Sequence, residues 1–243
     1  MKKIYFLVCA LVIFFNAKAQ DSQSIIFASP NYTYQIPMFD MAEQYGNNSL
    51  VGLDLNKLSE GNILYGISSH FLFGNQVKDS TILDHLMDEN RNIIDQNGQY
   101  ADVLLQERGF SVSAKLGYLF ASKQNPSSGI MTYGSVGFLQ HKTRIDVRNT
   151  TVPQLQGDYL KMYDRLSNGL STSLFVGYTH ISQKNHAHLY CGLEFTRAFT
   201  YNQRDFNYSP LATHSLRNDS FLGLKLGWII PIGKRSTQEF YYY

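Results

Sequence analysis

Read at every second residue, positions 221–233 separate into two sets. Leu222, Leu224, Leu226, Trp228 and Ile230 are large and apolar, while Phe221, Gly223, Lys225 and Gly227 alternate with them. A period of two is that of a β-strand, whose successive side chains point to opposite faces. The alternation recurs along the chain. Val51, Leu53 and Leu55 oppose Gly52, Asp54 and Asn56; Ile63, Tyr65, Ile67, Phe71 and Phe73 oppose Gly66, Ser68 and His70. Phe110, Val112, Ala114, Leu116, Tyr118 and Phe120 oppose Ser111, Ser113, Lys115 and Gly117. Leu189, Cys191, Leu193 and Phe195 oppose Tyr190, Gly192 and Glu194. Positions 129–140 and 170–181 alternate less cleanly. An eighth candidate, 24–36, holds Pro30, which predicts an edge, a strand end or a bulge.

The links between these strands alternate in length. Residues 37–48 form a medium loop and 58–62 a tight turn; 75–108 is long, 121–129 short, 141–169 long, 182–187 short and 199–218 medium to long. An up-and-down sheet has this rhythm when its two ends face different environments, as in membrane barrels with short turns on one side and longer loops outside. In hydrocarbon no backbone N–H or C=O finds water, so a spanning sheet must close on itself. The apolar set then faces lipid and the other set faces an enclosed lumen. The expected fold is all-β: an eight-stranded antiparallel up-and-down transmembrane β-barrel with long extracellular loops and both termini periplasmic. The competing arrangement, a soluble lipocalin-like carrier, would place the apolar set inside. An open pore fits poorly, because side chains nearly fill an eight-stranded interior.

The first residues fit export. Lys2 and Lys3 precede an apolar run over 4–15 and the small-x-small triplet Ala17-Lys18-Ala19, which reads as a signal peptide over 1–19 cut before Gln20. Twelve apolar residues are too few for a helix to cross a bilayer core of ~30 Å. Removing 1–19 takes away three lysines and no acids, so 18 basic residues face 19 acidic ones and the net charge moves from +2 to −1. That balance gives no basic surface for nucleic acid. Cys191 is the only cysteine left, which excludes an intrachain disulfide and a cysteine-based metal site. The barrel is expected over 20–233, followed by a periplasmic tail over 234–243.

The inner set carries opposite charges. Asp54, His70, Lys115, Glu194 and Lys225 are expected to form a charge network in the lumen, with the glycines beside them leaving room. The long loops are too apolar for simple solvation. Ile82, Leu83, Leu86 and Met87 sit at helical spacing, Asn97-Gly98 signals a hairpin turn, and Tyr159, Met162, Tyr163 and Leu166 share a helix face between an N-cap at Asp158 and a stop at Asn168-Gly169. These loops either pack on one another as a lid or present Leu83, Leu86, Met87, Tyr159, Met162 and Tyr163 to a partner. The terminal Tyr241, Tyr242 and Tyr243 are a further candidate, as an assembly signal, a longer last strand or a docking tail. If Gln183, Lys184 and Asn185 make a turn, His180 lies opposite His188 with His186 diagonal, a candidate transition-metal site that lacks a fourth ligand. Ser68 and His70 share a face, but no catalytic motif accompanies them, and no cofactor is expected.

The leader ending in Ala-Lys-Ala-Gln, the eight strands and the final Gly-Leu-Lys-Leu-Gly-Trp-Ile-Ile-Pro-Ile resemble the small outer-membrane β-barrel proteins of Bacteroidota, which share the architecture of OmpX, the OmpA barrel and PorT-like proteins. The resemblance lies in pattern over the whole mature chain. It departs where such barrels usually end on a strand-closing aromatic, since Gly-Lys-Arg-Ser-Thr-Gln-Glu-Phe-Tyr-Tyr-Tyr follows here. It implies residence in the outer membrane, contact with outer-membrane lipid and lipopolysaccharide, and association with other outer-membrane or periplasmic proteins. The role it implies is that of a non-enzymatic structural or accessory subunit of an envelope complex, in type IX secretion and gliding, barrel assembly or nutrient uptake. A lipid-modifying enzyme is the alternative.

Overall fold

Eight long strands follow one another around a closed antiparallel ring. They are β1 (Ile25–Phe39), β2 (Asn48–Leu58), β3 (Ile63–Gly74), β4 (Asp102–Ala121), β5 (Gly129–Arg148), β6 (Ser167–Ile181), β7 (His188–Asn202) and β8 (Arg217–Trp228). The computed structural model describes residues 24–122, 128–181, 188–204 and 216–232. Each strand pairs with its sequence neighbours, and β1 closes the ring by pairing with both β2 and β8. The β2–β3 turn and the strand ends that flank the other short links lie at one end, where Ile25 sits beside Leu58, and the strand ends that flank the long links lie at the other. Ile25 and Ile232, near the two ends of the described chain, both lie at the turn end. The expected leader (1–19) and tail (234–243), with Tyr241, Tyr242, Tyr243 and His186, fall outside the described residues.

Pro30 does not sit at an edge. It pairs opposite Leu53 inside the sheet, and its missing N–H shows as a gap in the β1–β8 ladder. Pairing stops at Asn31–Gly227 and resumes at Ala28–Ile230, where β9 (Ile230–Pro231) continues the last strand. Opposite the gap, Ile229 donates its N–H to the His188 carbonyl on β7 at 2.7 Å.

The alternation fixes which face is which. Leu116 and Leu174 are 65% and 66% exposed on the outer wall, whereas Lys225 and Asp54 are each 1% exposed inside. A soluble lipocalin-like arrangement needs the reverse. Exposed Tyr65, Tyr178 and Trp228 mark the outer wall toward the turn end, and Phe71, Phe110 and Phe138 mark it toward the loop end.

The interior is layered rather than uniformly polar. An apolar layer at the turn end includes Phe27, Leu64, Leu119, Phe175, Tyr190 and Ile229. A second, nearer the loops, includes Met41, Tyr45, Leu72, Leu139, Ala198 and Phe221. Met41 and Tyr45 come from the link that follows β1, which forms the short helix α1 (Asp40–Gln44) and turns inward.

Two strands run further than the alternation of apolar residues suggests. β4 and β5 have 20 residues each and stay paired from Ala121–Gly129 to Asp102–Arg148. The boundaries expected at 108 and 141 are therefore corrected. Beyond Phe110 and Phe138 the outward positions become Arg108, Gln106, Lys142 and Arg144, so the period of two persists while its apolar marker disappears.

Candidate functional site

The five charged positions on the inner face of the pattern come from five strands, β2, β3, β4, β7 and β8, and meet between the two apolar layers. Lys115 Nζ lies 2.7 Å from Asp54 Oδ2, and Lys225 Nζ lies 3.0 Å from Glu194 Oε2 and 4.0 Å from Asp54 Oδ2. His70 Nε2 is 3.5 Å from Asp54 Oδ1, 3.1 Å from Asn31 Oδ1 and 3.4 Å from Lys225 Nζ, so it donates to an oxygen or accepts from the ammonium according to its tautomer. Two ammoniums face two carboxylates. The cluster is electrically balanced with the imidazole neutral, which limits the cost of holding it away from water.

Two tyrosines complete this group. Tyr190 donates its hydroxyl to Asp54 Oδ2 at 3.1 Å and Tyr133 donates to Glu194 Oε2 at 2.9 Å. The Tyr133 ring also lies 4.6 Å from the Lys115 ammonium, a cation–π contact. The charge pattern gave no hint of either, because each tyrosine is an ordinary inward strand residue until its neighbours are known. A cavity of about 40 Å³ adjoins Glu194, Lys225 and His70 and is walled by Ser68, Ser113 and Ser135. It has room for a few waters and is too small for a solute.

A second buried polar group lies above the Met41–Phe221 layer. His141 Nε2 is 2.9 Å from Asp219 Oδ2, Thr200 donates to the same oxygen at 2.5 Å, and Arg217 donates to Asp219 Oδ1 at 3.1 Å and to Gln44 Oε1 at 2.7 Å. Asn48 donates to Glu107 Oε2 at 2.9 Å, and Tyr45 hydrogen-bonds Thr143 at 2.8 Å. Sequence reading missed this group because Glu107, His141 and Asp219 fell just outside the expected strand ends.

The loops between β3 and β4 and between β5 and β6 pack on one another at the loop end. Ser80–Leu86 forms a 3-10 helix whose preceding residue, Asp79, accepts from the Thr81 amide at 2.9 Å. Ile82, Leu83, Ile93, Ile145, Leu155 and Tyr163 form a buried cluster with the outer parts of β4 and β5. Leu86, Met87 and Met162 pack against it half-buried, and Tyr159 is exposed. Leu83 and Tyr163, 2% and 3% exposed, are therefore inside the lid and not on a surface offered to a partner. The second loop helix is shorter than its spacing suggests: only Tyr159–Met162 is helical, as a 3-10 turn, and Asp158 bonds the Lys161 ammonium instead of capping it. Asn168 and Gly169, expected to stop that helix, lie in β6 and pair with Tyr201 and Thr200. The Asn97-Gly98 turn is present, with Gly98 at φ 76° and its N–H on the Asp95 carbonyl.

Asp79 and Arg165 make a buried ion pair within the lid. Burial pushes the Asp79 carboxyl up, but hydrogen bonds from Thr81 and the Arg165 guanidinium outweigh it and hold the group below its ordinary range. Nearby, Arg204 donates to both Asp164 oxygens at 2.7 and 2.5 Å, which holds its guanidinium above its ordinary value.

The proposed histidine trio does not assemble. His180 pairs with Leu189 and His188 with Ile181, so the register is one residue off and the two imidazoles take opposite faces, His180 exposed and His188 buried. Among the described residues no group of three metal-ligating side chains converges.

No known protein family matches the chain, and no curated protein matches it in sequence. Solved structures do align. Neisserial surface protein A is 8% identical over 85% of this chain and 99% of that one, with a TM-score of 0.42. Ail, the attachment invasion locus protein of Yersinia pestis, is 10% identical over 86% of this chain and 100% of that one, with a TM-score of 0.40. At that level of overlap the likeness adds nothing to the fold read from strand register.

Proposed function

We propose that this chain is an outer-membrane β-barrel that works as a sealed, non-enzymatic structural or accessory subunit of a larger envelope complex, with its turn end and both termini in the periplasm. The observation that carries this reading is the inversion of the usual burial pattern. Leucines and aromatics cover the outside of a closed ring, and lysines, acids and histidines lie buried inside it beside two apolar layers. Such a wall is stable only against hydrocarbon or another apolar surface. The shortest strand of the ring, β2, has 11 residues, matching the ~9–11 that a tilted strand needs to cross a bilayer. Among the described residues, two apolar layers, two buried polar groups and packed loops occupy the interior, which favours scaffolding over transport. The resemblance to small Bacteroidota barrels favours type IX secretion and gliding, barrel assembly or nutrient uptake as the setting.

Purification in mild detergent followed by mass spectrometry tests the role. A stoichiometric set of co-purifying envelope proteins is the expected result. A barrel that emerges alone and alters the acylation of lipopolysaccharide would replace this reading with that of a lipid-modifying enzyme.

A further inference from the structure

The outer wall of β4 and β5 changes from aromatic to basic toward the loops, while β3 stays aromatic, with Phe73 opposite Arg108. Phe71 on β3 pairs directly with Phe110 on β4, and the Phe110 and Phe138 rings are 6.0 Å apart, making an aromatic row across three strands. One step toward the loops, Arg108 pairs directly with Lys142, and one step further Gln106 pairs with Arg144. All three cations are on the outward face. Like charges placed directly opposite one another weaken a sheet. Their partners among the described residues relieve them only in part, with Glu107 and Asp146 near Arg108 and Asp164 near Lys142. Arg108 donates to the Gly74 and Glu107 carbonyls at 3.2 and 2.7 Å and to Gln106 Oε1 at 2.7 Å, all neutral acceptors. Lys142 Nζ is 3.8 Å from Asp164 Oδ2, an oxygen that Arg204 already occupies. Among the described residues no carboxylate makes an ion pair with Arg108 or Arg144. Asp146 follows on the same face, and beyond it Arg148 pairs with Asp102, so the excess of positive charge is confined to the band just above the aromatic row.

We propose that Arg108, Lys142 and Arg144 form a binding site for the phosphate of a membrane-lipid headgroup, whose acyl chain lies along Phe71, Phe110 and Phe138. This rests on the membrane reading above and adds a specific lipid contact to it. The spacing suits an amphiphile: an apolar row lies at the depth of the chains, and a row of cations that outnumber their acidic partners sits one strand step above it. Arginine is suited to phosphate because its planar fork presents two parallel donors. A soluble polyanion would have no use for the aromatic row.

The test uses the full barrel reconstituted in phosphatidylcholine vesicles with spin-labelled lipids. A motionally restricted component from labelled phosphatidylcholine reports contact between lipid and the wall. Labelled phosphatidic acid reports preference for phosphate. The wild-type barrel is expected to hold phosphatidic acid preferentially. Each of Arg108→Gln, Lys142→Gln and Arg144→Gln is expected to reduce that preference roughly fivefold, while Arg91→Gln, an exposed change in the lid, leaves it unchanged. No restricted component with either lipid overturns the membrane reading itself. A restricted component with no preference for phosphatidic acid, or a preference retained in the triple variant, overturns the site alone. Displacement of the labelled lipid by inorganic phosphate overturns the lipid assignment in favour of a soluble anion. Arg144→Gln removes a side chain with no hydrogen bond among the described residues, so a folding failure in the triple variant does not block the test.

Discussion

Lys225 shows how much one strand position can carry. It sits between Gly223 and Gly227, 1% exposed, bonded to Glu194 and within reach of Asp54 and His70. Replacing it with Met leaves a buried carboxylate without its partner, a change that costs about 3–5 kcal/mol of folding stability; guanidinium unfolding from lipid vesicles measures it. Replacing Lys225 and Glu194 together with apolar residues of similar size should recover most of that loss. Gly227 is tied to the same cluster through packing. A Cβ there would sit 2.2 Å from the Tyr190 ring, so Gly227→Ala displaces the tyrosine whose hydroxyl holds Asp54. The expected cost is about 1–3 kcal/mol, and it should shrink in a Tyr190→Leu background. Asp79 governs the lid. Its folded pKa is depressed below the reference value of 3.8, so its contribution is fully present above that value and is lost as pH falls through the folded pKa. Amide protection factors across 79–87, corrected for the intrinsic pH dependence of exchange, should therefore be high at neutral pH and fall below about pH 4, and Asp79→Asn should flatten that dependence.

At the scale of elements, the eight strands were legible because each keeps its period of two where one side meets an apolar surroundings. Strand ends were not. The extra lengths of β4 and β5 carry Gln106, Arg108, Lys142 and Arg144 outward, so the apolar signal stops while hydrogen bonding continues for several more residues. For that reason Glu107 and His141 were read as loop residues although they point into the barrel. The histidine register failed differently: a one-residue change in turn length moves a whole set of side chains to the other face, and composition alone does not fix that length. Loop helices contracted to 3-10 turns because the same apolar residues find partners on the β4–β5 arm instead of along a helix. The lid is thus a packed unit built on that arm. Leu83→Ala should destabilise it by about 2–5 kcal/mol, seen as faster exchange over residues 80–105, while barrel strands such as β7 and β8 keep their protection.

At the scale of the whole molecule, a greasy exterior encloses an interior whose buried ammoniums and carboxylates pair with one another. The filled lumen predicts that the reconstituted barrel gives no steady conductance across a planar bilayer, in contrast to a porin-like channel. The outward face is the claim on which the rest depends, and the chain carries its own probe for it. Trp228 is the only tryptophan and is 53% exposed on the outer wall beside Leu226. Its fluorescence should be measured after folding into vesicles whose acyl chains carry bromine. Loss of most of the emission relative to unbrominated vesicles is the predicted result. Emission unchanged by bromine would show that the outer wall does not meet lipid, and would contradict the account.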